Sequence, residues 1–425
     1  MARALPVRLL PDSAAVDDDG SLSIGGRSLT ELASTFGTPL FVYDEEHLRN
    51  RCRESVAAFG RERVFYATKA FLCRAMARLA YDEGLLLDVA TGGELHVALS
   101  AGVPARCCTF HGNNKSVDEL RMAITAGVRH IVVDSFDEMD RLDALSSEGL
   151  PAPEVMLRIT PGVHAHTHEF IATGQDDSKF GFNLGNGDAM RAVERADRSS
   201  SMVLVGLHCH IGSNVFAAAN FGKAAEVMAN FAVPLDLPEL VLGGGLGVAY
   251  TTGEEAPTIT QWGSVLLDAC DALGVRSKVS VEPGRAIVGA AAVTLYSVGT
   301  IKHIPGVRTY VAVDGGMSDN PRPVLYGSGY EAFLPRDVTA ARTQTVRLVG
   351  KHCESGDVLI LGAAVPTDVR VGDVLATPVT GAYGHSMGSN YNKITRPPVV
   401  FVRDGDARLV VRRETYDDLL LTDLG

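Results

Sequence analysis

The stretch VFYATKAFLCRAMARLAYDEGLLLDVATGGELHVALSAGVPARCCTFH, residues 64–111, alternates short apolar runs with segments of helical spacing. Its runs VFYAT (64–68), LLLDVA (85–90) and RCCTFH (106–111) have the length of buried strands. The segments between them end at or near a glycine that can serve as a helix C-cap. Strands that alternate with helices in this way predict β-α units and therefore a parallel sheet.

The same alternation continues for five more apolar runs, which extend to residue 283. They are HIVVD (130–134), EVMLRI (154–159), LVGLHCHI (204–211), ELVLGGG (239–245) and KVSVEP (278–283). Eight β-α units predict an α/β fold of the closed TIM (β/α)8 barrel type rather than an open sheet.

The pattern changes after about Gly289, where strand-like stretches follow one another without helices between them. These stretches are AAVTLYSVGTI (291–301), RTYVAVD (308–314), TVRLVG (345–350), DVLILG (357–362), DVLATPV (373–379), PPVVFV (397–402) and ARLVVRR (407–413). They predict an all-β domain, a sandwich or barrel, which the hairpin-like LSIGGRSL (22–29) is expected to join because its strands would otherwise leave unpaired edges. We therefore expect an N-terminal segment that joins the β domain (1–36), a barrel (37–289) and a C-terminal β domain (290–425).

The composition is typical of a globular protein that acts on small molecules. Of 425 residues, 46% are hydrophobic and 21% are charged, and no apolar run approaches the length of a membrane span. The formal net charge of -12 argues against nucleic acid and anionic lipid as partners. Seven cysteines without a C-x-x-C pair favour reduced thiols over a disulfide framework. The first residues reach Pro11 and an acidic patch before any long apolar core, so we expect a cytoplasmic protein rather than a secreted one.

Polar residues end most of the eight runs, and the active sites of TIM barrels lie at the carboxyl ends of the strands. A lysine, a glycine-rich loop, a histidine and a buried carboxylate are the groups that pyridoxal phosphate requires from a protein. The strand-end residues of these types are Lys69, Asp88, His111, His208, His210, Gly243, Gly244, Gly245, Glu282 and Arg285.

Each of these residues also has an ordinary structural interpretation. Lys69 is either a solvated strand-end charge or a cofactor-binding lysine, and its apolar neighbours favour the second because such a lysine must be partly desolvated. The glycines of LVLGGGLG, taken alone, indicate only a turn. Glu282 either keeps a cofactor ring nitrogen protonated or forms a salt bridge with Arg285.

Alternating histidines could suggest a metal site. They are His164, His166 and His168 in one segment, and His208 and His210 in another. No carboxylate or thiol cluster accompanies them at ligand-like spacing, so we predict no metal. The segment from His164 to Gly174 follows the fifth run and is a candidate lid.

The motifs taken together resemble those of the fold-type III pyridoxal-phosphate decarboxylases, and within them the diaminopimelate decarboxylase family, from about residue 37 to 398. The motifs that carry this resemblance are FYATKA, DVATGGEL, FHGNNKS, LRITPGVHAHTHEFIATGQDDSKFG, GLHCHIGSN, LGGGLG, EPGRA, DGGMSDNPRPVLYG, GKHCESGD and GAYGHSMGSNYN. The resemblance implies a TIM barrel of the alanine-racemase-like type, followed by a β domain that includes the N-terminal segment.

The resemblance also implies roles for individual residues. Lys69 would hold the cofactor covalently, His210 would stack on its ring, and Glu282 would bind the ring nitrogen. The phosphate contacts would be Ser213, Gly243, Gly244, Gly245, Gly284, Arg285 and Tyr383, and we add the strand-end carboxylate Asp88 to the cofactor-binding set. The substrate contacts would be Arg285, Arg322, Tyr326, Glu354 and Tyr383. Cys353 would be the general acid, and Cys353 and Glu354 would reach the active site of the partner subunit in a homodimer.

The implied reaction is the decarboxylation of meso-2,6-diaminopimelate to L-lysine and carbon dioxide, the last step of lysine biosynthesis. Relatives that act on ornithine place aspartate after the cysteine, whereas this chain has Glu354. A paralogue with another amino-acid substrate, ornithine-like or from secondary metabolism, is the alternative. Racemases of the related type place arginine against the ring nitrogen, where this chain has Glu282, and a non-catalytic homologue would be expected to lack Lys69 or Cys353.

Overall fold

The computed structural model describes residues 5–162 and 177–425. By its backbone contacts the chain divides into two compact units. The barrel unit comprises Arg51–Gly247 and Ala256–Ala286, and the sheet unit comprises Met1–Asn50, Val248–Glu255 and Ile287–Gly425. The predicted lid, from His164 to Gly174, lies outside the described residues.

Helices alternate with strands through the barrel unit, whereas strands predominate in the sheet unit. The strands are β1 (Ala15–Val16), β2 (Leu22–Ile24), β3 (Arg27–Ser28), β4 (Leu40–Asp44), β5 (Phe65–Ala67), β6 (Leu86–Val89), β7 (Cys108–Phe110), β8 (His130–Val133), β9 (Glu154–Thr160), β10 (Phe182–Asn183), β11 (Val203–Cys209), β12 (Glu239–Val241), β13 (Lys278–Ser280), β14 (Ala292–Ile304), β15 (Arg308–Val313), β16 (Gln344–Val349), β17 (Val358–Val365), β18 (Val374–Pro378), β19 (Val399–Arg403) and β20 (Asp406–Val411). The α-helices are α1 (Leu29–Phe36), α2 (Glu45–Phe59), α3 (Arg74–Asp82), α4 (Gly92–Ser100), α5 (Val117–Ala126), α6 (Phe136–Ser147), α7 (Asp188–Asp197), α8 (Ala218–Ala232), α9 (Ile259–Ala272), α10 (Arg285–Val288) and α11 (Arg322–Tyr326). Short 3-10 turns cover Val7–Leu9, Thr68–Ala70, Ala105–Cys107, Val233–Leu235, His385–Met387, Tyr391–Lys393 and Asp417–Leu420.

The barrel unit contains the eight predicted strands as one parallel sheet. Its strands follow the order β5, β6, β7, β8, β9, β11, β12 and β13, and β10 adds a short parallel pairing to β9. A parallel bridge between Val64 and Val281 joins the last strand to the first. The amide of Phe65 donates to the carbonyl of Val281 at 2.8 Å, and the amide of Val281 donates to the carbonyl of Arg63 at 2.9 Å. The sheet therefore closes on itself, and the predicted TIM barrel is confirmed.

The helices of the barrel unit begin and end where their sequences favour it. At the start of α5 the hydroxyl of Ser116 accepts a hydrogen bond from the amide of Glu119, and the Glu119 carboxylate accepts one from the amide of Ser116. This reciprocal capping box satisfies two amides that the first turn leaves without helical partners. Gly127 ends α5 with φ 73° and ψ 51°, a left-handed conformation that glycine adopts without steric cost.

The interior of the barrel is packed with apolar side chains from its strands. Val132, Met156 and Val241 form a fully buried cluster, against which Val205 packs. These side chains come from four different strands, as expected where the inward-facing residues of a TIM barrel fill its centre. The strands are therefore held in fixed positions, which in turn fixes the residues at their carboxyl ends.

The sheet unit is built around a second, mainly antiparallel sheet. Its strands follow the order β17, β16, β15, β14, β4, β19 and β20, and β18 pairs with β14. The three N-terminal strands β1, β2 and β3 form a small antiparallel sheet in the same unit. All seven stretches predicted as strands after Gly289 are found as strands, and the 22–29 hairpin is found as well.

Strand β4 was not predicted from the sequence. It lies between β14 and β19 in the sheet, and all five of its residues are buried. Because it is buried on both faces, its sequence LFVYD lacks the alternation that marks a half-exposed strand. Through this strand, residues 37–50, which the sequence analysis assigned to the barrel, cluster with the sheet unit.

No α-helix within residues 5–162 and 177–425 combines the length and the apolar character that a bilayer span demands.

Candidate active site

Lys69 lies at the carboxyl end of the first barrel strand, in the 3-10 turn that follows β5. Its neighbours Ala67, Thr68 and Ala70 are buried, but Lys69 itself is exposed. The sequence analysis expected a partly desolvated lysine, and the structure places Lys69 among buried neighbours in a turn at the mouth of the barrel, with the residue itself accessible. The apolar residues that flank Lys69 in the sequence are buried, as predicted.

The turn that carries Lys69 is braced by a carboxylate that the sequence analysis did not select. The hydroxyl of Thr68 donates to the carbonyl of Asp88 at 2.8 Å and to Oε2 of Glu94 at 3.0 Å. The same Glu94 oxygen accepts a hydrogen bond from the amide of Ala90 at 2.6 Å. Glu94 therefore ties the ends of the first two barrel strands together beside Lys69.

Glu282 lies at the carboxyl end of the last barrel strand, where two histidines contact its carboxylate. Its Oε2 lies 3.0 Å from Nε2 of His208, and its Oε1 lies 3.2 Å from Nε2 of His111. The same His111 nitrogen lies 3.5 Å from Oδ1 of Asp88. The side chains of Glu282, Asp88, His111 and His208 are all buried. The two histidines therefore neighbour two carboxylates in a region with little water. The sequence analysis placed these histidines at strand ends but did not include them among the site residues.

Burial and neighbouring charges shift the pKa values of these four side chains in different directions. Burial alone would raise the pKa of Glu282, but His208 and His111 hold this pKa well below its usual range. Burial raises the pKa of Asp88 to about 6, against the opposing effect of His111. Burial lowers the pKa of His208 to about 4. Burial also acts to lower the pKa of His111, but the nearby carboxylates of Asp88 and Glu282 outweigh it and raise this pKa. Glu282 is therefore an ionised carboxylate in a buried setting, stabilised by two histidines.

His210 follows β11 and is fixed by the glycine loop that ends the seventh strand. Its Nδ1 accepts a hydrogen bond from the amide of Gly244 at 3.2 Å. Burial, and then the positive charge of Lys69, lower the pKa of His210 well below its usual range. The ring is therefore a neutral imidazole with its orientation set by the backbone.

The glycine loop approaches neighbouring backbone more closely than a side chain would permit. A β-carbon on Gly244 would lie 2.0 Å from the carbonyl oxygen of Glu282, and one on Gly245 would lie 2.1 Å from that of Gly212. Gly284 is also confined, because a β-carbon there would lie 3.0 Å from that of Ala67. These glycines bring the last two barrel strand ends and the turn of Lys69 close together.

Arg285 and Ser213 meet at the start of α10. An Nη2 hydrogen of Arg285 is donated to the hydroxyl of Ser213 at 3.0 Å. Arg285 is buried, and Ser213 is half-buried. The alternative that Glu282 mainly pairs with Arg285 does not describe the site, because the Glu282 carboxylate contacts histidines and Arg285 contacts Ser213. A guanidinium and a hydroxyl held together are suited to binding an anion.

The sequence analysis missed Arg158, a buried cation on β9. Its guanidinium carbon lies 4.2 Å from the centre of the Phe180 ring, and its Nε lies 3.8 Å from Oδ2 of Asp134. The other Asp134 oxygen accepts the amide hydrogen of Gly181 at 2.8 Å. The positive charge of Arg158 contributes to lowering the pKa values of His208 and His210. An arginine between the apolar residues Leu157 and Ile159 of the run EVMLRI was the signal that could have revealed Arg158.

The remaining predicted site residues belong to the sheet unit. Arg322 begins α11 and is buried, with its guanidinium carbon 4.1 Å from the centre of the Tyr250 ring. Its Nη1 donates to the hydroxyl of Tyr330. Tyr326, at the other end of the same short helix, is half-buried. Arg322 is therefore a cation held in place by two aromatic rings.

Cys353 and Glu354 lie before β17 and are both exposed. The amide of Cys353 donates to Oδ1 of Asn392 at 3.2 Å, and the Glu354 carboxylate accepts the amide hydrogen of Gly356 at 3.2 Å. Tyr383 is half-buried and has a positive φ of 60°. This segment presents a thiol and a carboxylate at the surface of the sheet unit.

The residues of the barrel unit fit pyridoxal phosphate. Lys69 offers an amine at the barrel mouth, and Glu282 offers an ionised carboxylate that suits a protonated ring nitrogen. His210 supplies a neutral ring of fixed orientation, and Arg285 with Ser213 supplies an anion-binding pair. A TIM barrel with this donor set defines a pyridoxal-phosphate enzyme, and a known family model agrees: residues 45–289 match the pyridoxal binding domain of pyridoxal-dependent decarboxylases.

Nearly the whole chain is similar to members of one branch of these enzymes. It is 48% identical over 430 residues to the diaminopimelate decarboxylase of Mycobacterium tuberculosis strain H37Rv, with 96% of each chain covered. It is 48% identical to that of Bacillus subtilis strain 168, with 95% of each covered. The crystal structure of the M. jannaschii diaminopimelate decarboxylase with L-lysine superposes with a TM-score of 0.90 at 34% identity, covering 97% of this chain and 98% of that one. The chain therefore belongs to the diaminopimelate decarboxylase family of pyridoxal-dependent decarboxylases.

Proposed function

We propose that this protein catalyses the pyridoxal-phosphate-dependent decarboxylation of meso-2,6-diaminopimelate to L-lysine and carbon dioxide. The observation that carries the proposal is the buried Glu282 carboxylate, held between His208 and His111 at the end of the last barrel strand, in a barrel that also presents Lys69 at its mouth. Similarity to diaminopimelate decarboxylases at 48% identity over nearly the whole chain supports the choice of substrate.

We assign the cofactor contacts to the barrel residues selected from the sequence. Lys69 would hold the cofactor through its Nζ, His210 would stack on the ring, and Glu282 would face the ring nitrogen. The phosphate would lie against Arg285, Ser213, Gly284 and the loop of Gly243, Gly244 and Gly245, with Tyr383 as a further contact and Asp88 near the ring. Pyridoxal phosphate, when bound, supplies an electron sink for the electrons that remain as the substrate carboxylate departs as carbon dioxide.

The protein's own groups would do three things during the reaction. Glu282 keeps a negative charge where a protonated ring nitrogen needs it, because its two histidine partners oppose the effect of burial. Arg285 offers its guanidinium to an anionic group beside Ser213. The Cys353 thiol would donate from its Sγ the proton that replaces the lost carboxylate.

The far end of diaminopimelate carries an ammonium and a carboxylate that take no part in bond breaking. A carboxylate is best bound by an arginine, and we assign this contact to Arg322, whose guanidinium lies against the rings of Tyr250 and Tyr330. Glu354 has the charge that an ammonium requires, and Tyr326 and Tyr383 complete the proposed substrate set.

The substrate is tested by incubating the purified, cofactor-loaded protein with meso-diaminopimelate, ornithine, lysine and arginine in parallel. Release of carbon dioxide and lysine from diaminopimelate, with little turnover of the other three, is the expected result. Preferred turnover of ornithine, or no turnover of diaminopimelate by protein that holds its cofactor, would favour the alternative of a paralogous decarboxylase. Interconversion of stereoisomers without carbon dioxide release would point to a racemase instead.

We further propose a homodimer whose two active sites each take Cys353 and Glu354 from the partner subunit. The exposure of both residues supports this, because an exposed thiol and carboxylate are accessible to a second chain. We also propose a cytoplasmic location, which the seven cysteines support, since all of them lie in the described ranges and none forms a disulfide there.

Mixed dimers test the shared sites. A dimer of one Lys69→Ala chain and one Cys353→Ala chain has one site with both groups intact and one site with neither. Random mixing of equal amounts makes half of the dimers mixed, so activity should recover to roughly a quarter of that of the unmodified protein. The measurement is carbon dioxide release before and after the two inactive proteins are unfolded, mixed and refolded together.

The matched control mixes Lys69→Ala with Glu282→Gln. Both residues lie in the barrel unit of one chain, so no mixed dimer restores an intact site and no recovery is expected. Equal recovery in both mixtures, or no recovery of the first in dimers shown by mass to be mixed, would contradict the proposed exchange of residues across the interface.

A further inference from the structure

Both oxygens of the Glu282 carboxylate have a histidine partner within the barrel. Oε2 lies 3.0 Å from Nε2 of His208, and Oε1 lies 3.2 Å from Nε2 of His111. Glu282 and His111 are each 6% exposed, and His208 is 1% exposed. The two imidazole rings meet edge to face, with centres 5.0 Å apart. This histidine pair therefore restrains the carboxylate from two directions in a setting from which water is largely excluded.

The hydrogen-bonding chemistry fixes which ring nitrogens carry hydrogen. An ionised carboxylate only accepts hydrogen bonds, so the Nε2 of His208 must be the donor in its contact with Glu282. The Nε2 of His111 lies at ion-pair distance from Glu282 but makes no hydrogen bond of good geometry among the described residues, so its contribution is that of a charged ring. The Nδ1 of His208 is buried and has no hydrogen-bond partner among the described residues, so a neutral ring with hydrogen on Nε2 fits its surroundings. His111 also lies 3.5 Å from Oδ1 of Asp88, so its single Nε2 faces two carboxylates, which favours a protonated ring.

A buried carboxylate without such partners would be expected to take up a proton. Desolvation penalises the charged form, and nearby cations or hydrogen-bond donors must offset it. A protonated Glu282 would no longer stabilise positive charge on a cofactor ring nitrogen, and a neutral ring is a weaker electron sink. The contacts that the two histidines make with Glu282 therefore affect how well the cofactor ring can accept electrons.

We propose that His111 and His208 are positioning residues that keep Glu282 ionised and oriented toward the ring nitrogen of the cofactor. This inference rests on the proposed function, since it concerns how the same site holds its cofactor. Neither histidine needs to touch the substrate or the reacting atoms, because both act through Glu282.

Asparagine and glutamine substitutions distinguish the effect of the contact with Glu282 from the effect of the volume of the histidine side chain. The glutamine side-chain nitrogen falls near the place of a histidine Nε2, whereas that of asparagine falls near the place of Nδ1 and is too short to reach Glu282. The variants are His208→Asn, His208→Gln, His111→Asn and His111→Gln, and each position is an independent test. His130→Asn is the control, since His130 is likewise buried, at 2% exposed, but pairs with Glu154 and Glu239 instead of Glu282.

The main measurement is nitrogen-15 NMR of protein loaded with pyridoxal phosphate labelled at the ring nitrogen, which reports whether that nitrogen is protonated. We expect the asparagine variants to shift the signal toward the neutral ring and to lower kcat roughly 10- to 100-fold, the usual cost of removing a partner that orients a site ligand. His208→Gln should stay close to the unmodified protein, whereas His111→Gln removes the positive charge of the ring and should also shift the signal toward the neutral ring. His130→Asn should leave the signal unchanged.

Three results would overturn the proposal: an unchanged signal in both asparagine variants, equal loss in His208→Asn and His208→Gln, or an equal loss in His130→Asn. The ligand atoms of Glu282, His111 and His208 also lie within 4.8 Å of one another, a spacing that could hold a divalent cation. A ring-nitrogen signal that changes on treatment with a chelator would therefore also count against the proposal. The NMR signal needs only bound cofactor, so failure to turn over diaminopimelate would overturn the proposed function and leave this test intact.

Discussion

A Lys69→Ala protein should lose both its covalently held cofactor and its decarboxylase activity. Lys69 is the strand-end lysine at the mouth of the barrel, and its Nζ is the amine that we assign to the cofactor. Loss of a positioned acid-base group alone typically costs about 10²- to 10⁴-fold in rate, and loss of the attachment adds to this. The measurement is borohydride reduction of the loaded protein followed by peptide mass spectrometry. The cofactor mass should appear on the peptide that contains Lys69, and it should be absent from the variant.

Lys278→Ala is the matched control, because this lysine also belongs to a barrel strand but lies at its amino-terminal end. Its ion pair with Glu239 is 3.6 Å long, and its side chain is 26% exposed, so its removal should cost little. The control should keep its cofactor and its activity. A reduced cofactor adduct on another lysine of the Lys69→Ala protein would mean that the attachment site is assigned to the wrong residue.

The barrel could be predicted from the sequence because its signals are local. Each run of four to eight apolar residues sits between helical segments with recognisable ends, as the capping box of Ser116 and Glu119 illustrates. Strand β4 could not be predicted in this way. Its partners β14 and β19 lie about 250 and 360 residues further along the chain, and no local pattern reports such pairings.

The candidate site could also be predicted only in part, because some of its features are local in the sequence and others are not. The residue types at strand ends, such as Lys69 and Glu282, could be selected because the fold places those ends together. Their partners could not be inferred. The only protein partner that the sequence offered for Glu282 was Arg285, three residues away, as the alternative to a role at the cofactor ring. The contacts are instead with His208 and His111, which belong to the ends of two other strands. Closeness in space depends on barrel geometry, which the order of residues along the chain does not reveal.

Lys115→Met should strongly destabilise the protein. Lys115 is 2% exposed, and its Nζ donates to the carbonyl oxygens of Gly112 and Val132 and to Oε1 of Glu138, each at 2.7 Å. Glu138 is fully buried, so the variant would leave its carboxylate without a counter-charge. Breaking such a pair by removing one partner typically costs about 3–5 kcal/mol. The measurement is the free energy of unfolding from urea titrations of the cofactor-loaded protein.

Two further variants identify the cause of that loss. Adding Glu138→Gln to Lys115→Met removes the uncompensated charge but retains an oxygen that can accept from the amide of Asp134, so part of the stability should return. Arg121→Met breaks an exposed pair with Glu148 and should cost less than about 1 kcal/mol. A loss for Lys115→Met as small as that for Arg121→Met would show that the buried pair contributes little. Lys115 donates to the carbonyl of Gly112, in the turn that directly follows His111, and His111 in turn contacts Glu282. A large loss of stability in Lys115→Met should therefore be accompanied by weaker cofactor binding.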